Sequence, residues 1–338
     1  MARRLTRGLE RLLDLVPYGL DLADLRELVE DDLVRDEVLA MVAGDDVVGR
    51  TNIPRIRPIL VALAARATGA KAVDAEAQHA AELLHLALRV HDLALGREGG
   101  RRRRVARRLV RSVGWITGNR LTIRALEIAR HTEPGVLEEL LSALRAFSEA
   151  QALSRELVGE IANEDDWKDH ADAHTGALFA FCCRAGGHLG GAGPRELAAL
   201  GRYGRHVGRL WHVAEDVSVL AFGDPALHVV ARASTGRPVL PVVVAARQEP
   251  SIAERWARLG SDVDPDPEEA RALAGELRRL GIPGSREIMA EESWRARRAL
   301  RVLPDTTYRN GMDRLAAEMV KAGLERAPRK GRVSPALE

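Results

Sequence analysis

The sequence predicts an all-α protein, and two observations indicate this class. Apolar residues recur at the spacing of one helix face, for example at Leu5, Leu9, Leu12, Leu13 and Val16. Hydrophobic residues make up 46% of the 338-residue chain but aromatic residues only 4%, so the core must consist mostly of Leu, Val, Ala and Ile. Because Ala and Leu have high helix propensities, this composition suits packed helices.

Short clusters of Gly, Pro and Asp divide the chain into roughly eleven to thirteen helices. The clusters lie at residues 44–46, 99–100, 134–135, 190–194 and 265–267. Residues 239–244 (VLPVVV) are the one segment with strand character, but the run is short and suits a buried helix equally well. Because no repeat of fixed period is present, we expect a single helical domain over residues 1–326. A flexible tail that is rich in Pro, Lys and Arg follows over 327–338.

Charge and cysteine content argue against several classes of protein. Lys and Arg number 51 against 49 Asp and Glu, so no overall field favours nucleic acid. Cys182 and Cys183 are adjacent and form no disulfide framework, which indicates a reducing setting. No stretch approaches the roughly 18 apolar residues of a membrane span, and residues 1–12 lack the apolar core of a signal peptide. We therefore expect a cytoplasmic protein without a membrane span.

Polar groups on apolar helices are candidates for chemistry. Arg55 and Arg57 precede Pro58, which suits a first helical turn. A helix N-terminus attracts anions, and guanidinium groups bind phosphate through paired hydrogen bonds; the alternative is two solvated arginines. Further along, His85 and Asp92 lie on an otherwise apolar segment. A histidine there is more often a core residue, and one carboxylate supplies too few oxygens for Mg²⁺.

Two later segments carry further charge. Seven of the eleven residues from 101 to 111 are arginine, which is typical of a solvated helix face, a nucleic-acid or membrane contact, or a clamp for a diphosphate. Gly204 and Gly208 are four residues apart and would let another helix approach closely. Glu215 and Asp216 follow on the same segment, where a carboxylate pair either binds metal or lies on the surface.

The order and spacing of these features are similar to those of the trans-isoprenyl diphosphate synthases. Arg-Ile-Arg-Pro at 55–58, Glu-Leu-x-His-x5-His-Asp at 82–92 and Arg-Arg at 101–102 together resemble motifs of this polyprenyl synthetase family. Four later segments resemble its other motifs, namely residues 115–125, 167–178, 203–219 and 236–241. The resemblance covers residues 50–245 and implies an isoprenoid-synthase-like bundle of antiparallel helices around a central cavity.

The resemblance also implies a reaction. Family members bind Mg²⁺ ions between two Asp-Asp-x-x-Asp motifs on opposing helices, and the ions stabilise the diphosphate that leaves an allylic substrate. A second substrate's double bond then attacks the carbocation. Here the first motif reads Asp-Leu-Ala-Leu-Gly over 92–96 and the second reads Glu-Asp-Val-Ser-Val over 215–219. Of six carboxylates only Asp92, Glu215 and Asp216 remain, which predicts weak or absent magnesium binding.

The resemblance assigns diphosphate binding to seven cationic residues, which are Arg55, Arg57, His85, Arg101, Arg102, His174 and Arg237. His174 and Arg237 stand at lysine positions of the family pattern. Arg57, His85 and Arg102 match three of the four anchors of the second diphosphate, so we expect them to converge on one pocket. The competing interpretation is that they now pair with the remaining carboxylates and neutralise a vacated site.

Three functions are compatible with this pattern of loss. We expect first a catalytically silent homologue that acts as a regulatory or partner subunit. The alternatives are a diverged, magnesium-using enzyme on a prenyl diphosphate, and a binder of an apolar or phosphate-bearing ligand without turnover. The resemblance implies a homodimer or a heterodimer with a related synthase.

We assign no catalytic residue. Two further features bear on the choice among these three functions. Arg89 stands at a usual leucine position one turn before Asp92, where a guanidinium disfavours a growing prenyl chain. Pairing with Asp92 would neutralise both groups. The acidic residues within 164–169 are either substitute metal ligands or a solvated loop.

Overall fold

The computed structural model describes residues 56–95, 104–221, 225–262 and 265–324. These residues form thirteen α-helices and contain no strand. In chain order the helices are α1 (Ile56–Ala67), α2 (Ala75–Leu95), α3 (Arg104–Ala129), α4 (Pro134–Glu156), α5 (Glu164–Ala171), α6 (Ala177–Leu189), α7 (Pro194–Ala221), α8 (Pro225–Ala233), α9 (Leu240–Ala246), α10 (Ser251–Ser261), α11 (Pro267–Glu276), α12 (Ile282–Ala299) and α13 (Thr307–Leu324). Two π-helical segments, Asp172–Gly176 and Leu277–Gly281, and one 3-10 helix, Leu300–Val302, continue α5, α11 and α12 respectively.

The all-α prediction is confirmed across the described residues. The segment with strand character is helix α9, which follows the extended residue Val239 (φ −116°, ψ 118°) and carries Pro241 in its first turn, where proline is well tolerated. None of the helices in the described part of the chain combines the length and apolar character needed to cross a bilayer. Arg55, Arg101, Arg102 and the predicted tail lie outside the described residues.

Helices α1 and α6 lie at the centre of the core. Every residue of α1 except Arg66 is buried, and α1 packs against α2, α6 and α13. Helix α6 contributes a continuous buried run from Leu178 to Cys183. Burial raises the pKa of Cys182 to about 12 and that of Cys183 well above its ordinary value, so neither thiol ionises near neutral pH.

Helix α7, at 28 residues the longest of the described helices, organises the functional region. It packs against α6, α12, α13 and the π segment Asp172–Gly176. The predicted close approach at Gly204 and Gly208 is confirmed. A Cβ at Gly204 would lie 2.5 Å from the Phe179 carbonyl oxygen, and one at Gly208 would lie 2.6 Å from the Gly176 Cα. These two glycines therefore bring α7 directly against α6 and the π segment.

Candidate functional site

A chain of polar contacts connects α2 to α7 through the π segment. It begins at Asp92 on α2, whose Oδ2 atom lies 2.9 Å from His174 Nε2. Burial alone would raise the pKa of Asp92, but the charge and the hydrogen bond of His174, followed by the charges of Arg237 and Arg89, lower it. The carboxylate of the first motif is thus ionised, and its partner is a side chain of the protein.

The middle of this polar chain is a buried histidine cluster. His174 Nδ1 lies 3.1 Å from Thr175 Oγ1, which lies 2.8 Å from His212 Nδ1. The ring centroids of His170, His174 and His212 are 5.4–5.9 Å apart. Burial, reinforced by neighbouring positive charges, lowers the pKa of His170 and of His212 well below the ordinary value. Both rings are therefore neutral near pH 7.

Arg237 joins the histidine cluster to the carboxylates of α7. Its Nε lies 3.2 Å from His212 Nε2, and its Nη2 lies 3.7 Å from both Glu215 Oε2 and Asp216 Oδ1. The preceding residue explains its placement. Gly236 has a φ of 69°, and a Cβ there would overlap the backbone of α4. Because only glycine adopts this conformation at so little cost, the chain can turn tightly beside α4 and direct Arg237 inward.

Glu215 and Asp216 are adjacent but differ in their surroundings. Glu215 Oε1 accepts a hydrogen bond of 3.1 Å from Trp211 Nε1, and although burial would raise its pKa, the charges of Arg237 and other arginines lower it. Asp216 accepts a backbone hydrogen bond from Leu240, and among the described residues no side chain donates a hydrogen bond to its carboxylate oxygens. Its second cationic neighbour is Arg232 of α8, whose Nη2 lies 4.0 Å from Oδ1. Burial raises the pKa of Asp216 despite both arginines.

Arg57 borders the polar chain from α1. Its guanidinium lies 5.6 Å from the ring centroid of Phe179 and 5.5 Å from that of Trp211, a cation–π arrangement. The residue is only 7% exposed, and its Nε has no hydrogen-bond partner in the part of the chain that the structure describes. Burial lowers the pKa of His85 well below the ordinary value, and the charges of Arg57 and Arg89 lower it further. His85 therefore faces the same region.

The structure brings most of the predicted site residues together. Those in or beside the polar chain are Arg57, His85, Asp92, His174, Glu215, Asp216 and Arg237. Under the competing interpretation Arg57, His85 and Arg102 neutralise the remaining carboxylates. The close contacts to these carboxylates come instead from His174, Arg232 and Arg237, while the charge of Arg57 also acts on Glu215. Whether Arg102 joins the pocket of Arg57 and His85 is a prediction that falls outside the described residues.

The acidic residues within 164–169 lie elsewhere. Asp165 and Asp169 are exposed, and Asp166 forms a capping box with Asn163 at the start of α5. They are therefore solvated or capping residues and not substitute ligands in this cluster. A separate groove of about 550 Å³ between α4 and α6 is lined by none of the residues of the polar chain.

Sequence reasoning missed four members of the cluster, which are His170, Thr175, His212 and Arg232. One signal was available for Arg232, since it is the only Arg, Lys, Asp or Glu residue of the mostly apolar helix α8. A charged side chain on such a helix needs an oppositely charged or polar neighbour when it is buried. The positions of His170 and Thr175 in the cluster depend on the π segment, which no pattern in the sequence predicts.

Comparison with known proteins identifies the family. The sequence profile described as polyprenyl synthetase matches residues 52–256, more than half of the chain. The chain belongs to the polyprenyl synthetase family. Octaprenyl diphosphate synthase of Escherichia coli (strain K12) is 26% identical over 273 residues, which are 78% of this chain and 84% of that protein. A dimethylallyltranstransferase of Mycobacterium tuberculosis is 24% identical over 323 residues, covering 93% and 94% of the two chains.

Solved structures confirm the predicted fold. The crystal structure of polyprenyl synthase from Caulobacter crescentus CB15, complexed with calcium and isoprenyl diphosphate, superposes with a TM-score of 0.75. It is 23% identical, and the superposition covers 95% of this chain and 97% of that one. The protein therefore has the isoprenoid synthase fold of the polyprenyl synthetase family.

The metal site expected in a polyprenyl synthetase can be tested against the donors present. In residues 56–95, 104–221, 225–262 and 265–324, no three His, Cys, Asp or Glu side chains are arranged to hold a metal ion. Asp92 is hydrogen-bonded to His174, while Glu215 and Asp216 both face Arg237. The described residues therefore do not fit the multi-magnesium arrangement that the family resemblance implies.

Proposed function

We propose that this polyprenyl synthetase homologue has lost magnesium-dependent prenyl transfer and acts as a silent partner subunit. One observation carries the proposal. Each carboxylate that remains at the two metal-binding motifs faces a cationic or hydrogen-bonding side chain of the protein itself, His174 for Asp92 and Arg237 for Glu215 and Asp216. The carboxylates that a divalent cation would need are thus already engaged by side chains of the protein itself.

The sequence of the two motifs supports the same proposal. Magnesium prefers several oxygen ligands in near-octahedral geometry, and carboxylates four residues apart on a helix can supply them from one face. The residues four positions after Asp92 and Glu215 are Gly96 and Val219, which carry no oxygen ligand in their side chains. Removing one well-placed electrostatic group typically costs about 10²–10³ in rate, so the loss of three carboxylates removes most of the catalytic stabilisation.

A prenyl-transfer assay tests the loss of catalysis. The purified chain is incubated with millimolar Mg²⁺, isopentenyl diphosphate and an allylic diphosphate, with the octaprenyl diphosphate synthase of E. coli as the positive control. We expect no elongated product from this chain, and calorimetry should show no magnesium-dependent binding of a non-hydrolysable allylic diphosphate. Product that scales with the amount of this chain and disappears with a chelator refutes the proposal in favour of a diverged enzyme.

Exposed apolar side chains support a subunit role. Ile116 and Ile123 are two turns apart on one face of α3, and Leu141 lies on α4, which packs against α3. They are 60%, 55% and 47% exposed, and we take them as the association surface. We expect a dimer in sedimentation experiments and a shift towards monomer in Leu141→Glu. Trp294→Glu on α12, a residue that is 53% exposed, is the matched control and should leave the dimer intact. A wild-type monomer at high micromolar concentration contradicts the subunit role.

A further inference from the structure

We propose that a pocket between α12 and α13 binds a phosphate group that is joined to a flat aromatic ring, the chemistry of a nucleotide. The pocket has a volume of about 270 Å³ and lies where α12 continues into the 3-10 helix Leu300–Val302 and α13 begins. Its lining includes one tryptophan and four arginines, which are Trp294, Arg297, Arg298, Arg301 and Arg309. No lining residue belongs to the polar chain or to the proposed association surface, so the inference is independent of the proposed function.

The walls of the pocket are held in place by hydrogen bonds between α12 and α13. Ser293 Oγ donates a buried hydrogen bond of 2.9 Å to the carbonyl oxygen of Ala316. Nearer the pocket, Arg297 Nε donates one of 2.9 Å to Asp313 Oδ1. Because the walls are already fixed, a ligand that enters orders few further groups and loses little affinity to conformational entropy.

The pocket carries more positive charge than the neighbouring carboxylates balance. Arg297 has the carboxylate partner described above, and Arg309 Nη2 donates a hydrogen bond of 2.7 Å to Asp305 Oδ1. Arg298 and Arg301 are both exposed and form no ion pair with any of the described residues. Two guanidinium groups therefore remain for an anion, and guanidinium groups bind phosphate through paired hydrogen bonds.

Trp294 provides an aromatic surface beside these two guanidinium groups. It is 53% exposed, whereas the other four tryptophans of the chain are buried or half-buried. The guanidinium carbon of Arg298 lies 5.1 Å from the Trp294 ring centroid, a cation–π contact that joins the two side chains. Any nucleobase can stack on an exposed aromatic ring, so Trp294 can hold the ring of a ligand whose phosphate lies against Arg298 and Arg301.

Helix stability explains only part of this arrangement. Arg297 and Arg298 lie in the last turn of α12, where positive charge interacts favourably with the helix dipole. Arg301 lies beyond α12, and Arg309 lies in the first turn of α13, where the dipole opposes positive charge. The grouping of both with an exposed Trp294 around one concave pocket is therefore better explained by a ligand.

The size of the pocket favours a small ligand over a macromolecule. Pockets for drug-sized ligands measure about 300–1,000 Å³, and a volume of about 270 Å³ suits a smaller molecule. A membrane or an acidic protein segment would instead need a flat or extended surface. We therefore assign the pocket to a soluble phosphate ester.

Titration of the full chain with adenosine monophosphate, in a buffer of low salt that contains a chelator, tests the inference. Calorimetry measures the dissociation constant for the wild type, for three pocket variants and for one control. These are Trp294→Leu, Arg298→Gln, Arg301→Gln and the control Arg271→Gln. Arg271 is exposed on α11, outside the pocket, and pairs with Glu268, so its substitution removes the same charge elsewhere. Ribose 5-phosphate, which lacks the base, is titrated in parallel.

We expect the wild type to bind adenosine monophosphate at least about fivefold more tightly than ribose 5-phosphate, because a stacked base contributes at least about that factor. Trp294→Leu should remove this preference, and Trp294→Phe, which keeps a ring, should restore part of it. Arg298→Gln and Arg301→Gln should weaken binding of both ligands by about two- to fivefold, the effect of an exposed charge. Arg271→Gln should bind as the wild type does.

Tryptophan fluorescence gives a second readout that does not depend on affinity alone. Adenosine monophosphate should quench part of the wild-type emission, because Trp294 is exposed and would stack on the base. Trp294→Leu should lose this quenching. Circular dichroism of each variant separates lost binding from lost folding, and all three pocket substitutions are at exposed positions.

Four outcomes overturn the inference. The first is the absence of binding at millimolar adenosine monophosphate, and the second is binding that the pocket variants leave unchanged. The third is equal affinity for ribose 5-phosphate, which would show that the ring makes no contact. The fourth is capture of the chain by phosphatidylglycerol vesicles without nucleotide binding, which would make this face a membrane contact. None of these outcomes affects the proposed loss of catalysis, which the prenyl-transfer assay tests separately.

Discussion

Helix α7 carries two clusters of buried charge that differ in completeness. Near its middle, Arg209 donates hydrogen bonds to both carboxylate oxygens of Glu292 at 3.1 Å and, through Nη2, to Asp172 Oδ2 at 2.8 Å. Two turns later, Arg237 approaches Glu215 and Asp216 no closer than 3.7 Å. The side chains of Arg209 and Arg237 are equally buried, at 9% and 10% exposed, so burial does not explain the difference.

The comparison separates a closely paired charge cluster from a loosely paired one. The Arg209 cluster joins α7 to α12 and to the π segment, and His206 adds a hydrogen bond of 2.7 Å to Glu292. Every charge there has a close partner, as buried charges require. In the cluster around Arg237, by contrast, no side chain of the described residues donates a hydrogen bond to Asp216. The two clusters on one helix therefore differ in how closely their charges are paired.

The largest expected effect tests the closely paired side of this comparison. Arg209→Leu leaves Glu292 buried without its main counter-charge, and breaking a buried ion pair in this way costs about 3–5 kcal/mol of unfolding free energy. Urea denaturation measures the loss. Arg255→Leu is the control, because its partner Glu269 is 39% exposed in its side chain and exposed pairs contribute at most about 1 kcal/mol. Equal losses in the two variants would remove the distinction between the clusters.

A second variant tests the packing that positions the loosely paired cluster. Gly208→Ala places a Cβ 2.6 Å from the Gly176 Cα, and overpacking of this kind costs about 1–3 kcal/mol. Gly275→Ala on α11 meets no atom within 4 Å and should instead stabilise the protein by about 0.5–1 kcal/mol. The midpoints of thermal unfolding of both variants, compared with that of the wild type, test this difference in stability.

A third variant should be stabilising, and it tests the incompleteness of the loosely paired cluster. The pKa of Asp216 is raised by burial, so keeping it ionised opposes folding at pH values above that pKa. Asp216→Asn removes this penalty and should raise the unfolding free energy at pH 7 by about 0.5–1 kcal/mol. The gain should vanish in acid, where the wild-type carboxyl is protonated in both states. A destabilised Asn variant at pH 7 would show that Arg232 and Arg237 satisfy the carboxylate fully.

The smallest expected effect is a loss of stability in acid that does not occur at neutral pH. Burial would raise the pKa of Glu292, but the His206 hydrogen bond and the Arg209 charge lower it below the ordinary 4.5. The stabilisation is therefore complete above about pH 4.5 and is lost as the pH falls through the lowered pKa. Denaturation midpoints between pH 6 and 3 should fall more steeply for the wild type than for Glu292→Gln. If the midpoints of the two proteins fall equally steeply with pH, groups other than Glu292 cause the acid sensitivity.

The sequence was sufficient for the fold and for about half of the cluster. Helical periodicity predicts the all-α class, and the register of the family motifs places Asp92, His174, Glu215 and Arg237 in one region. Both predictions, the all-α class and the grouping of these four residues, depend on local spacing, which can be read from a single sequence. The strand-like run over 239–244 could not be decided from the sequence, because a short apolar segment fits either structure when it is fully buried.

The remainder of the cluster depends on geometry that spacing does not record. The π segment inserts an extra residue into the turn between α5 and α6 and brings His170, His174 and Thr175 against His212. The partnership of Arg232 with Asp216 depends on how α8 returns alongside α7. Above all, the sequence cannot distinguish an ion pair of 2.8 Å from one of 3.7 Å, and that difference separates the two clusters.

The reactivity of the adjacent cysteines inside α6 can be used to measure how often the core around this helix unfolds. Alkylating reagents attack only the thiolate, and burial keeps both groups protonated and out of reach while the chain is folded. Each labelled molecule has therefore passed through a state in which α6 left the core. Mass spectrometry reads the labelling as one or two adducts, and the rate of labelling therefore measures how often α6 leaves the core in the protein without any engineered probe.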